Sequence, residues 1–171
     1  MRLQGLPPTA RDDARVLVLG SMPGEASLRQ GQYYGHPRNR FWPLMQALFG
    51  VDAVAPYPQR VAALDAAGIG LWDVIGECVR AGSLDSAIER GSEIANPIPE
   101  LCARLPSLRA IGLNGAKAAQ SFSRYVEPQL DAVLRRRLTI CRLPSTSPAN
   151  ASYALPQLQS EWAALAVHND A

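Results

Sequence analysis

Three times along this chain a short, mainly apolar run ends at a turn signal. Residues 16–19 read VLVL and stop at Gly20. Residues 108–113 read LRAIGL and stop at Asn114-Gly115, and residues 138–143 read LTICRL and stop at Pro144. Runs of this length without regular polar alternation fit parallel strands covered on both faces. Each is followed by a stretch with helical spacing of apolar residues, and strands alternating with helices argue for a sheet between two helical layers. The expected fold is α/β: a three-layer α/β/α arrangement on a central, mostly parallel four-stranded sheet. Segment 68–75 (GIGLWDVI) supplies a short strand or turn entering the core. At 171 residues the chain is expected to be a single domain, 1–171.

Residues 1–15 read as a lead-in, with Pro7-Pro8 excluding regular structure. Helices are expected at 26–30, 40–49, 59–67, 98–105, 116–125 and 155–167. Leu158, Trp162 and Leu165 form the inner face of the last one. Asn114 is placed to cap the helix that follows it. Arg135-Arg136-Arg137 precedes the third of the apolar runs. There is no internal repeat and no low-complexity segment.

A hydrophobic fraction of 47% and a charged fraction of 19% describe an ordinary globular protein. The net charge of +2 permits a polyanionic partner without requiring one. Arg supplies nearly all the positive charge, and Lys117 is the only lysine. Arg suits phosphate, but a GC-rich genome gives the same bias. Cys78, Cys102 and Cys141 lack the number and spacing for a disulfide framework or a four-cysteine cluster. Buried thiols in a reducing cytoplasm are the expectation. No apolar run approaches the ~20 residues of a membrane span, and no apolar signal core opens the chain. A cytoplasmic monomer without membrane contact is expected.

In open α/β sheets ligands sit beyond the carboxyl ends of the strands. Here that means loops 20–24, 113–117 and 144–150. Ser21 is not a nucleophile elbow, because Met22 holds the position where that motif has serine. Residues 112–117 do not have the spacing of a phosphate loop. With His36 and His168 as the only histidines, neither a catalytic triad nor a metal site is easily assembled. What remains is rich in amides, hydroxyls and aromatic rings. Asn39 can hold a water but is a poor base, which suits a dissociative reaction such as N-glycosidic cleavage; taken alone, an Asn between two arginines is more often a helix cap or a surface residue. Tyr33 and Tyr34 can stack on a base, at roughly 1–3 kcal/mol per base, or simply pack on helix 40–49. Asp73 stands among apolar neighbours, where a carboxylate needs a partner or a task. Residues 145–150 offer hydroxyls and amides to phosphate, or form only a connector.

The stretches GSMPG and YYGHPRNRFW, with LWDV, LNGAK and LPSTSPAN further on, resemble the uracil-DNA glycosylase superfamily. The resemblance spans most of residues 15–165 and is nearest to the hypoxanthine (deoxyinosine)-DNA glycosylase branch. Mismatch-specific relatives carry G-[IL]-N-P-G after the first strand, and its Asn positions the water. Met22 stands there in this chain. In the hypoxanthine branch the downstream Asn takes over, which implies Asn39 as the catalytic residue. The resemblance further implies that Tyr34 stacks on the flipped base and that backbone groups of Gly20, Ser21, Met22, Pro23 and Gly24 meet its edge. Asp73 falls where relatives have a base-reading Asn. A carboxylate there accepts from N1–H of hypoxanthine but repels carbonyl oxygens. His36, Lys117, Ser145, Thr146, Ser147, Pro148 and Asn150 are the implied DNA contacts, with Ser145 to Pro148 matching the family's minor-groove motif.

The implied activity is hydrolysis of the N-glycosidic bond of a deaminated base in DNA, with hypoxanthine, uracil and xanthine as candidates. It needs no metal and no cofactor, and it leaves the strand uncut. Two alternatives stay open: a non-catalytic nucleic-acid-binding module, and a small-substrate hydrolase using Ser145 or Ser147.

Overall fold

The chain opens with a short strand, β1 (Arg2–Gln4), in the computed structural model, which describes residues 2–169. The sequence reading expects no regular structure there. Three residues carry too little pattern to reveal a strand, and β1 exists because a partner strand completes its hydrogen bonds. The apolar run then forms β2 (Val16–Gly20), buried at every position. Next come α1 (Glu25–Gln30), α2 (Phe41–Phe49) and α3 (Tyr57–Ala66). Segment 68–75 is divided between two sheets, as β3 (Ile69–Asp73) and the start of β4 (Ile75–Val79). The chain turns at Val74, whose N–H donates to the Gly20 carbonyl at 2.9 Å.

After β4 lie a 3-10 turn (Asp85–Ala87), β5 (Ile94–Ala95) and α4 (Ile98–Ala103). The second half runs β6 (Ala110–Asn114), α5 (Ala116–Ser121), α6 (Ala132–Arg137), β7 (Thr139–Leu143) and α7 (Leu155–His168). The helix expected over 116–125 widens after Ser121 into a π-helical turn at Phe122–Val126. Helix α6 is absent from the sequence reading. Asp131 starts it by accepting the Leu134 N–H at 2.8 Å, and Arg135, Arg136 and Arg137 close it. Cations suit a helix C-terminus, so the triplet ends a helix rather than merely leading into a strand.

The main sheet has the order β3-β2-β6-β7, and all its pairings are parallel. This is the expected four-stranded α/β sheet. A second, antiparallel sheet of order β1-β4-β5 was not foreseen. It has its own small core of Met22, Ile75 and Cys78. In the main core Leu158, Trp162 and Leu165 of α7 are fully enclosed, as the helical spacing predicts. Gly112 lets α7 approach β6, because a Cβ there would stand 2.9 Å from a Leu165 methyl.

Trp162 joins several of these parts. Its ring meets Phe41 of α2 edge-on at 6.3 Å, and its indole N–H donates to the Pro144 carbonyl at 2.9 Å. Trp162→Ala should therefore cost about 3–5 kcal/mol of stability, read as a lower urea midpoint with little change in slope, and Trp162→Phe should cost less.

Candidate active site at the carboxyl edge of the sheet

Across the main sheet, register places Asp73 beside Gly20 and Asn114 beside Leu143 at the strand ends. Loop 21–24 leaves this edge under firm control. The Ser21 carbonyl accepts the Ile75 N–H at 2.9 Å, and the Ser21 hydroxyl donates to Asp85 Oδ1 at 2.7 Å. Arg80, 6% exposed, donates to the Pro23 and Gly82 carbonyls at 2.8 Å each. The Met22 side chain turns into the small core of the second sheet, so only its backbone is free to serve a ligand. Gly24 precedes α1, where the Glu25 N–H is held by the Ser83 hydroxyl at 2.9 Å.

Gly20 is a glycine for a steric reason. A Cβ there would lie 2.5 Å from Asp73 Oδ1 and 3.4 Å from the Tyr34 hydroxyl. Asp73 is 4% exposed, and its Oδ2 has no hydrogen-bond partner among the described residues. Burial, and then the Asp85 carboxylate, push its carboxyl up to about 7, with Arg80 opposing.

The two tyrosines part company. Tyr33 is a core residue: its hydroxyl donates to the Pro7 carbonyl at 2.6 Å, and its own carbonyl accepts the Trp42 indole N–H at 3.0 Å. Tyr34 is the one non-glycine residue with positive φ among the described residues, at +55°. Backbone outliers of this kind gather at functional sites. Its ring stacks on Phe41 with centroids 3.9 Å apart, so one face is occupied. Its hydroxyl is enclosed and faces the Asn114 side chain without making a well-formed hydrogen bond. Burial, and then Asp73, raise that phenol well above its usual range.

Asn39 follows the turn that begins at His36. His36 Nδ1 accepts the Arg38 N–H at 3.0 Å and its carbonyl accepts the Asn39 N–H at 2.9 Å. The side-chain oxygen of Asn39 accepts the Phe41 N–H at 2.9 Å. Asn39 precedes the N-cap of α2, which is Arg40, so this bond closes the turn before the helix rather than capping it; Nδ2 has no partner among the described residues. The next residue, Arg40, ties this segment to the far loop. Its backbone N–H donates to the Thr146 carbonyl at 3.0 Å, and its guanidinium donates to the carbonyls of Ser147, Asn150 and Tyr153. Asn39 therefore lies in the chain between the stacked Tyr34 and Phe41 and next to Arg40, which binds the loop after β7.

Within that loop Thr146 is fully enclosed. Its hydroxyl accepts from Asn114 Nδ2 at 3.1 Å and its N–H donates to Asn114 Oδ1 at 3.0 Å. Thr146 thus holds the edge together, and exposure is left to its half-buried neighbours Ser145, Ser147, Pro148 and Asn150. Asn114 is not the cap of α5; Gly115 occupies that place. The sequence signal for its edge position was its place as the last residue of a strand. The Ser145 and Ser147 hydroxyls accept backbone N–H groups at 3.1 and 3.2 Å, and neither is bonded to a histidine or a carboxylate among the described residues. Lys117 is committed to Glu93 at 2.6 Å, and Glu93 also accepts from the Tyr125 hydroxyl at 2.7 Å.

The profile of the Uracil DNA glycosylase superfamily matches residues 7–168. A hypoxanthine DNA glycosylase of Methanosarcina acetivorans is 36% identical over 166 residues, covering 96% of this chain and 98% of its own. One from Methanosarcina barkeri is 39% identical over 121 residues, 70% of this chain and 75% of its own. The solution structure of a Methanosarcina acetivorans protein proposed to be a uracil DNA glycosylase superposes with a TM-score of 0.80 at 33% identity, over 99% of both chains. The chain belongs to the uracil-DNA glycosylase superfamily of DNA glycosylases.

Proposed function

We propose that this DNA glycosylase removes deaminated bases, hypoxanthine foremost, from DNA and leaves an abasic site for base excision repair. The observation that carries the reading is the group around Gly20. A ring held in a left-handed backbone conformation and two enclosed, unpartnered polar atoms (the Tyr34 hydroxyl and Asp73 Oδ2) converge at the carboxyl edge of the sheet. A planar ligand with polar edges suits such a place. Near full-length likeness to a protein named hypoxanthine DNA glycosylase supports the choice of base.

The target nucleotide is rotated out of the stack, which costs a few kcal/mol and least for a mispaired base. Tyr34 receives the base on the face that Phe41 does not cover. Amides of the 20–24 loop stabilise charge on the departing base. Asn39 orients a water toward the sugar C1′. The C1′–N bond breaks with its electron pair going to the base, the water oxygen bonds to C1′, and the water's proton ends on the base. The sum is free base plus an abasic sugar. Lys117, held by Glu93, does not serve as a Schiff-base nucleophile. His36, Lys117, Ser145, Ser147, Pro148 and Asn150 are the proposed DNA-facing residues, with Thr146 acting through Asn114.

A panel of duplexes, each with one deaminated base, tests the activity by abasic-site formation without strand cleavage. Asn39→Ala should slow base release by about 100-fold or more, the scale of misplacing one reactant, while duplex binding persists. The lost bond from the Phe41 N–H should cost only about 1 kcal/mol of stability. Undiminished release would remove Asn39 from the mechanism. Arg40→Met should free the loop after β7, read as faster amide exchange across 144–153 with the sheet amides unchanged. Base release should fall with it.

A further inference from the structure

Asp73 sits at the end of β3 without hydrogen-bonded support for a negative charge. Asn96 Nδ2 reaches its backbone carbonyl, at 2.9 Å, rather than its carboxylate. The charged and titratable groups around it are Asp85 in the 3-10 turn, Arg80 after β4, and Tyr34 and Tyr33 before α2. The Arg80 guanidinium donates to backbone carbonyls of Pro23 and Gly82 and not to Asp73, and its Nη1 is enclosed without a partner among the described residues. Asp85 places a second carboxylate nearby. A buried carboxylate with no bonded cation and a like charge beside it favours its neutral form. Beside Gly20, whose missing side chain lets the Asp73 carboxyl lie close, the Tyr34 hydroxyl is also enclosed and without a well-formed hydrogen bond. Enclosed polar groups left unpaired in a native structure require a reason, and a ligand that pairs both supplies one.

We propose that Asp73 meets the flipped base as a neutral carboxylic acid, donating its proton to the base carbonyl and accepting from the adjacent ring N–H, with the Tyr34 hydroxyl as the second polar group of the same pocket floor. This rests on the glycosylase reading above and specifies its base-recognition chemistry. Hypoxanthine, uracil and xanthine each present a carbonyl next to a ring N–H. A carboxylic acid has the matching donor and acceptor, whereas a carboxylate has acceptors only. The repulsion expected between a carboxylate and the base carbonyl then disappears. The effect grows during the reaction. As the C1′–N bond breaks, its electron pair places negative charge on the base, shared with that carbonyl oxygen. A donor there favours departure and a carboxylate opposes it. Carboxylic acids kept neutral by an apolar site act as donors in this way in other enzymes.

The sign of the pH effect follows from the upward shift. The acid form prevails below about 7 and is lost as pH rises through that value. Single-turnover release from a deoxyinosine duplex should fall about tenfold per pH unit on the alkaline side. Asp73→Asn, which keeps a donor and an acceptor but does not titrate, should abolish that falling limb. Asp85→Asn, which removes the neighbouring charge, should move the limb to lower pH. Tyr34→Phe should slow release while leaving the midpoint of the limb near that of the natural protein. A flat profile in the natural protein, or a limb that survives Asp73→Asn, overturns the proposal. Should no duplex release a base at any pH, the glycosylase reading fails instead, and the Asp73 carboxyl resonance of the substrate-free protein decides separately. A midpoint near 7 upholds the neutral acid, and one near the ordinary value of about 4 overturns it.

Discussion

Strand β2 has no exposed residue. Val16–Gly20 is hydrogen-bonded in parallel to β3 on one edge and to β6 on the other, and every side chain is enclosed. Its carboxyl end is therefore as fixed as any point in the molecule. Gly20 turns that rigidity into a site. The missing side chain lets the Asp73 carboxyl and the Tyr34 hydroxyl, from two different segments, close on the strand end. Any side chain at position 20 would displace the carboxyl of Asp73 and disturb the loop that follows.

The loops around this point are held by polar contacts rather than by packing alone. Asn114 and Thr146 exchange two hydrogen bonds and join the ends of β6 and β7. Arg40 binds the following segment through the carbonyls of Ser147, Asn150 and Tyr153. Three carbonyls on one planar guanidinium fix both the position and the orientation of the loop, which a compact ammonium would not do as well. The two loops nearest the edge, 20–24 and 144–153, are thus secured from different sides, one by Arg80 and Asp85 and the other by Arg40. Neither arginine faces outward to a phosphate. Much of the positive charge in the edge region is spent on architecture, which explains why a net charge of +2 says so little about partners.

The sequence disclosed what repeated patterns disclose. The apolar run of β2, the run ending at Asn114 and the i, i+4, i+7 face of α7 were all legible, because each buries either an unbroken run or a periodic set of side chains. Strands β1 and β5 were not, since three and two residues carry no period and depend on pairing with β4. The arginines of α6 read as a charge cluster, and the Asp131 cap that starts the helix went unnoticed. At the site, likeness to a family pointed to Tyr34, Asn39 and Asp73, but residue type alone could not separate Tyr33 from Tyr34. The difference between them is backbone conformation, +55° at Tyr34, and no local pattern encodes which of two adjacent rings enters the core. Asn114 was assigned to the wrong duty because an Asn before a helix is most often a cap. Its partner Thr146 is 32 residues away.

Asp73 shows why such residues resist a reading based on stability. An aspartate in a fully buried strand, flanked by Trp72 and Val74, breaks the binary pattern that builds the rest of the sheet. Its carboxyl is costly to bury charged and costly to bury unpaired. A side chain chosen only for folding would be apolar here. Local violations of this kind persist where function compensates for them. The same burial that makes the carboxylate costly makes the acid form available near neutrality, and only the acid form can donate to a carbonyl. The stability lost at the end of β3 and the donor gained there have one physical origin: the removal of water from around Asp73.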